Sequence, residues 1–158
     1  PQSLNAMVPS ASVFVLSIML ATGCEHRRET LAFSPSDQIT FAIEKKGGGH
    51  TANFISRLRF DGGKWLVERR NDDGGWQDVT CQKECELVES TEQQIQELRS
   101  RARIGVRSFN CLQDMAFALC KTETRGGTEY FMVGGLEGNA PWPVRLVQLD
   151  PATFSVIR

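Results

Sequence analysis

Arg57-Leu58-Arg59-Phe60-Asp61-Gly62-Gly63-Lys64-Trp65-Leu66-Val67-Glu68 holds two alternating segments on either side of a glycine pair. A two-residue Gly62-Gly63 loop sets Phe60 opposite Trp65, Leu58 opposite Val67 and Arg57 opposite Glu68. One face of the ribbon is then apolar, and on the other the charges pair. A slip of one residue would turn every side chain to the wrong face, so turn and pattern support one register.

Working outward, glycine clusters recur at Gly47-Gly48-Gly49, Gly74-Gly75, Gly126-Gly127 and Gly134-Gly135, with short alternating segments between them. That punctuation predicts a series of antiparallel hairpins. Ile39-Thr40-Phe41-Ala42-Ile43 opens the series with Ile39, Phe41 and Ile43 on one face. The Gly74-Gly75 turn leads into Trp76-Gln77-Asp78-Val79-Thr80-Cys81, and further strands are expected over 115–121, 128–133, 144–149 and 153–157. The last two join across Asp150-Pro151-Ala152, with Leu149 facing Phe154 and Val147 facing Val156. Asn110-Cys111-Leu112-Gln113-Asp114 is readable as a helical turn.

One helix is expected over about 90–104. Ser90 can cap its free amides while Gln93 reaches back, Ile95, Leu98 and Ala102 share a face, and Gly105 closes it. Glu97 and Arg101 stand an i,i+4 pair apart. The fold class is therefore α+β, mainly antiparallel β-sheet built from hairpins with one amphipathic helix.

A chain of 158 residues is the size of one domain, and a formal net charge of −1 exerts no overall pull on nucleic acid or an anionic membrane. The charge is unevenly placed, because residues 1–23 contain no Lys, Arg, Asp or Glu. Within them Ala11-Ser12-Val13-Phe14-Val15-Leu16-Ser17-Ile18-Met19-Leu20-Ala21 is almost wholly apolar, too short to span a bilayer and suited to the h-region of a signal peptide. It ends in Leu20-Ala21-Thr22-Gly23-Cys24, which resembles the lipobox of bacterial lipoprotein precursors. The resemblance covers only this segment. It departs from the family pattern in placing Ala21 where leucine is favoured and in having no basic residue before the apolar run.

The resemblance implies that Cys24 receives a diacylglyceryl group and becomes the lipidated N-terminus after cleavage behind Gly23. It implies a signal peptide over 1–23, a tether over 24–37 and a single domain over 38–158, held at the periplasmic face of a membrane. Glu25 after the cysteine favours the outer membrane. Ordinary signal-peptidase cleavage, an uncleaved anchor and an apolar strand of the domain are the competing readings of the same run.

With Cys24 set aside, Cys81, Cys85, Cys111 and Cys120 form an even set, as two disulfides in an oxidising compartment require. Three pairings are open. Adjacent pairing closes two short loops, and crossed pairing staples the halves of the domain together. The spacing lacks the paired knuckles of a zinc site and the Cys-x-x-Cys of a redox motif, so no metal or other cofactor is expected.

Catalytic chemistry has little to stand on. The histidines are His26, in the tether, and His50, beside a glycine turn, and no nucleophile-base motif accompanies them. Glu84, Glu86 and Glu89 are expected to form a solvated acidic face. Asn71-Asp72-Asp73-Gly74-Gly75 lacks the later ligands of a calcium loop and is expected to be a hairpin turn. Gly47-Gly48-Gly49 lacks the context of a phosphate cradle.

Two surfaces are the binding candidates. In Glu137-Gly138-Asn139-Ala140-Pro141-Trp142-Pro143 two prolines hold Trp142 in an extended loop, as an anchor for a partner or folded back onto the core. Arg57, Arg59 and Arg70 make a basic patch. The expectation is a non-enzymatic, lipid-anchored envelope protein that binds another protein, in the manner of an inhibitor or immunity protein. An assembly accessory and an envelope hydrolase are the alternatives.

Overall fold

The Gly62-Gly63 hairpin forms in the expected register, with Phe60 opposite Trp65, Leu58 opposite Val67 and Arg57 opposite Glu68. Both glycines have positive φ, 57° and 79°, which matches a two-residue turn of the type whose twist suits its strands. The computed structural model describes residues 31–44, 54–80 and 86–157. Cys24, His26, Gly47-Gly48-Gly49, His50, Cys81, Glu84 and Cys85 lie outside the described residues, as do the leader and the first part of the expected tether.

The elements run β1 (Ile39–Ile43), β2 (Ser56–Asp61), β3 (Lys64–Arg70), β4 (Trp76–Asp78), β5 (Val88–Glu89), α1 (Glu92–Arg101), β6 (Asn110–Gln113), β7 (Ala118–Thr124), β8 (Gly127–Gly134) and β9 (Trp142–Leu149). They make one antiparallel sheet in the order β4-β3-β2-β1-β9-β8-β7-β6-β5. β3 divides its free edge. Its Glu68 to Arg70 half pairs with β4, and its Trp65 bridges Leu87, the residue just before β5. That bridge, with the Lys64–Glu86 ion pair at 3.0 Å beside it, brings the two ends of the sheet together. The sheet therefore curls into a barrel of eight strands with β4 as a side strand, which removes most of its unpaired edges.

Side-chain alternation then gives the barrel an inside and an outside. Ile39, Phe41, Leu58, Val67, Leu87, Leu112 and Leu119 form the inner core, with Trp65, Tyr130, Met132 and Leu146 packed against it. On one outer flank Ile95, Leu98 and Ala102 of the helix cover Cys111, Ala118, Cys120, Phe131 and Val133. On another, Ala42, Ile55, Val147 and Leu149 lie under Trp76 and Phe154. Strands β1, β6 and β7 are thus buried on both faces, so they read as continuous apolar runs rather than alternating ones.

Four local expectations are corrected. The 110–114 segment is strand β6, not a helical turn, because Cys111 and Leu112 are each fully buried, on opposite faces between β5 and β7. The strand expected over 115–121 begins at Ala118, because the Asp114 carboxylate accepts from the Ala116 and Phe117 amides and makes a turn. The helix is capped by Thr91, whose side chain accepts from the Gln94 amide while the Gln94 side chain accepts from the Thr91 amide. Ser90 is unavailable as the cap because it prolongs β5, donating its amide to the Cys111 carbonyl and its hydroxyl to Gln113. The helix ends at Ala102, and Arg103, with φ 53°, makes the left-handed exit before Gly105 is reached.

The fourth correction is the C-terminal ribbon. Val156, not Phe154, faces Leu149, because the Asp150 carboxylate accepts from the amides of Ala152 and Thr153 and from the Thr153 hydroxyl, which makes the turn wider. Phe154 turns through φ 57° and its amide closes back on the Asp150 carbonyl.

Residues 31–37, within the stretch read as a tether, lie against the barrel. Leu31 is buried, its carbonyl accepts from Asn110, and the Phe33 amide donates to Glu89. The nearly buried Lys121 ammonium meets Asp37 at 2.8 Å and the Ala32 carbonyl at 2.8 Å, with the Phe33 ring centre 4.9 Å away. A carboxylate, a carbonyl and a ring face together offset the loss of water around this interior cation, which is the condition for burying it at all.

Candidate functional site

The basic patch forms on the outside of the barrel where β2, β3 and β4 run side by side. Alternation along β2 turns Leu58 inward and Arg57 and Arg59 outward, and Glu68 comes up between them from β3. Arg57 Nε donates to Glu68 Oε2 at 2.6 Å, and Arg59 Nη2 donates to Glu68 Oε1 at 3.2 Å. Arg59 also lies 3.4 Å from Asp61. The Glu68 side chain is only 10% exposed, so one sunken carboxylate orients two arginines whose side chains remain about a third exposed, at 31% and 37%.

Aromatic rings complete the patch. Trp76 stands opposite Arg70 on β4. The Arg57 guanidinium lies 4.1 Å from the Trp76 ring centre, and that of Arg70 lies 4.6 Å from the Phe154 ring centre. The two rings are tilted 60° to one another with centroids 6.4 Å apart. Each cation–ring contact at such a half-exposed position is worth about 0.5–1 kcal/mol, enough to hold the guanidinium planes without neutralising them. The result is a groove of about 380 Å³ lined by Arg57, Arg59, Trp76, Leu149, Phe154 and Ile157, with Arg70 at its edge. Glu68, Asp61 and Asp78, the last opposite Glu68 on β4, stand against the three guanidinium groups, so the groove sets oriented cations over an apolar floor without a net charge of its own. Ile157 and neighbouring Val156 are each 52% exposed.

Trp142 is not part of this groove. It begins β9, whereas the groove meets that strand at its other end, roughly 23 Å away at the usual rise per residue. The residue is 57% exposed, and its indole packs against Gly134 and Gly135. A side chain at Gly135 would come within 2.4 Å of the ring. Trp142 is thus neither in the core nor free; the two glycines support its ring while more than half of the residue stays open to solvent.

Of the acidic set, the described residues Glu86 and Glu89 do not converge. Glu86 pairs with Lys64, and Glu89 accepts from Asn110 and from the Phe33 amide. Asn71 to Gly75 close a hairpin turn, with the Asn71 amide donating to the Gly75 carbonyl and the Gly75 amide to Asp73. Among the described residues no group of three or more His, Cys, Asp or Glu side chains is placed to hold a metal, and no helix is long and apolar enough to cross a membrane. Cys111 and Cys120, opposite one another on β6 and β7, form a disulfide buried under the helix. This bridge rules out the crossed pairings that would use Cys111 or Cys120, and it is the chemistry of an oxidising, extracytoplasmic compartment.

The three arginines were legible as a patch from sequence, but Trp76, Phe154 and Ile157 were not assigned to it. For Trp76 a signal existed, since the Gly74-Gly75 turn sets it opposite Arg70. No family model, no curated protein and no solved structure matches this chain.

Proposed function

We propose that this protein is a lipid-anchored envelope lipoprotein that works by binding another protein through the arginine–aromatic groove. The observation that carries the reading is the cluster of Arg57, Arg59, Arg70, Trp76 and Phe154, in which oriented cations stand over half-buried rings. Arginine and aromatic side chains are the residue types that carry most of the energy at protein interfaces. A half-exposed guanidinium already held by Glu68 loses little freedom when a partner's carboxylate arrives. The fitting partner surface is a loop bearing Asp or Glu beside an apolar side chain. Lipidation of Cys24 would keep the domain within a short tether of its membrane, on the outer-membrane side by the reading of Glu25, and action as an inhibitor or immunity protein is the finer form of the proposal.

A photo-crosslinking residue at Ile157, tested in the native envelope, examines the binding half. The expected result is one discrete adduct that vanishes when Arg57 and Arg59 are changed to Glu, while the same probe at Met115, 73% exposed on another face, gives none. Adducts that survive the double charge reversal would sink the proposal. For the anchor, intact mass of the membrane-extracted protein should show a chain starting at an acylated Cys24, and Cys24→Ser should release it from the membrane fraction.

A further inference from the structure

The inner face of the barrel is not filled evenly. On the β5-to-β7 side Leu87, Leu112 and Leu119 close it, and the 31–38 segment crosses it with Phe33 edge-on to Trp65. Where β8, β9 and β1 meet, the packing stops short. Ile39, Phe41, Tyr130 and Leu146 surround a cavity of about 270 Å³, and Gln148 and Thr128 reach it from the same inner face. Inward positions change there from buried, at Ile39 and Phe41, to half-buried, at Tyr130, Leu146 and Gln148. An eight-stranded barrel is just wide enough to be filled by its own side chains or to hold one small ligand. This one does the first on one side and leaves room for the second on the other.

We propose that this cavity binds a small neutral amphiphile, a chain or ring of about six to ten carbons ending in a hydroxyl or carbonyl group. The volume fixes the size, at on the order of ten non-hydrogen atoms. The wall of Ile39, Phe41 and Leu146, with the Tyr130 ring, takes the hydrocarbon. The Gln148 amide and the Thr128 hydroxyl, which donates to Glu123 at 2.7 Å, stand at the polar end. The charged residues about the rim are Arg145 and three acids: Glu129, Glu44 at 3.5 Å from Arg145, and Glu123, which is bonded to the Thr128 hydroxyl. The mouth thus has no surplus positive charge with which to hold an anionic head group. This site is on the inner face of the sheet and shares only Ile39 and Gln148 with the lining of the outer groove, so it stands independently of the protein-binding reading.

Methyl-resolved NMR of the full chain, titrated separately with 1-octanol and with octanoate, tests it. Octanol is expected to shift the methyl signals of Ile39 and Leu146 saturably at one molecule per chain, leaving Ile95 and Leu98 under the helix unmoved. Octanoate is expected to bind at least about fivefold more weakly, a difference of roughly 1 kcal/mol. Leu146→Trp, which fills the cavity from its own wall, should weaken octanol at least about tenfold with the circular dichroism spectrum unchanged. Shifts that never saturate, or that appear equally at Ile95 and Leu98, overturn the proposal even if the variant fails to fold. Tighter binding of octanoate than octanol overturns the neutral class of ligand.

Discussion

Replacing Gly135 by alanine separates two costs that the structure superimposes at one residue. Gly135 has φ 70°, where an L side chain costs about 1–2 kcal/mol. The new methyl would also sit 2.4 Å from Trp142 Cζ3 and 3.0 Å from Cε3, so the indole must leave its place. A tryptophan presents up to about 250 Å². With 57% of Trp142 exposed, roughly 100 Å² is covered, worth at most about 2.5 kcal/mol at ~25 cal/mol per Å². Gly135→Ala should therefore cost about 2–4 kcal/mol and Trp142→Ala about 1–2.5 kcal/mol. Once the ring is gone only the backbone cost remains, so on the Trp142→Ala background the glycine substitution should cost no more than about 1–2 kcal/mol. Urea unfolding of the four chains, followed by circular dichroism, measures the cycle. Equal costs for Gly135→Ala on both backgrounds would refute the reasoning, because the indole would then not be resting on that glycine.

Lys121→Met strands Asp37 beside an apolar interior and should cost about 3 kcal/mol in the same assay; adding Asp37→Asn should recover part of that loss, since no buried charge is then left unpaired. Paired substitution of Cys111 and Cys120 by alanine opens a loop with a sequence separation of 9 and should lower stability by about 2–3 kcal/mol from loop entropy alone, without altering the strand content seen by circular dichroism. The Asp150 carboxyl is held below its ordinary value of 3.8 chiefly by the Thr153 and Ala152 amides. A depressed carboxyl stabilises above its unfolded value and loses that contribution as pH falls through the lower folded value. Wild type should therefore lose more stability than Asp150→Asn as the pH is lowered below about 3.8, and parallel pH profiles would count against the turn.

The hairpin around Gly62-Gly63 was legible because three independent signals agree there: the turn residues, the alternation and the Arg57–Glu68 charge pairing. The helix was legible for the same reason, yet its cap was displaced by one residue. Ser90 and Thr91 are equally good caps taken alone, and only the pairing of Ser90 with Cys111 across the sheet assigns the role to Thr91. Strand β6 was misread because its central residues are buried on both faces, which erases the alternation that marks a half-exposed strand. Closure of the barrel could not be read at all. It depends on one bridge, Trp65 to Leu87, between residues far apart along the chain whose local patterns say nothing about each other.

The groove shows the same division between local and non-local signals, with a sharper consequence. Arg57, Arg59 and Arg70 follow from strand alternation, and Trp76 follows from one more hairpin. Phe154 and Ile157 depend instead on how Asp150 spends its carboxylate. Had the turn been tight, as the Asp150-Pro151-Ala152 sequence suggested, Phe154 would have paired with Leu149. The two-residue shift that the Asp150 turn imposes puts Val156 there and turns Phe154 through positive φ toward Trp76 and Arg70. One exposed carboxylate, with no contact to any ligand surface, therefore governs whether the aromatic floor of the groove exists. Asp150→Ala, which removes the acceptor that Asn would keep, is accordingly the substitution that separates the outer groove from the inner cavity: it should weaken the Ile157 crosslink even at neutral pH, while leaving octanol binding in the inner cavity unchanged.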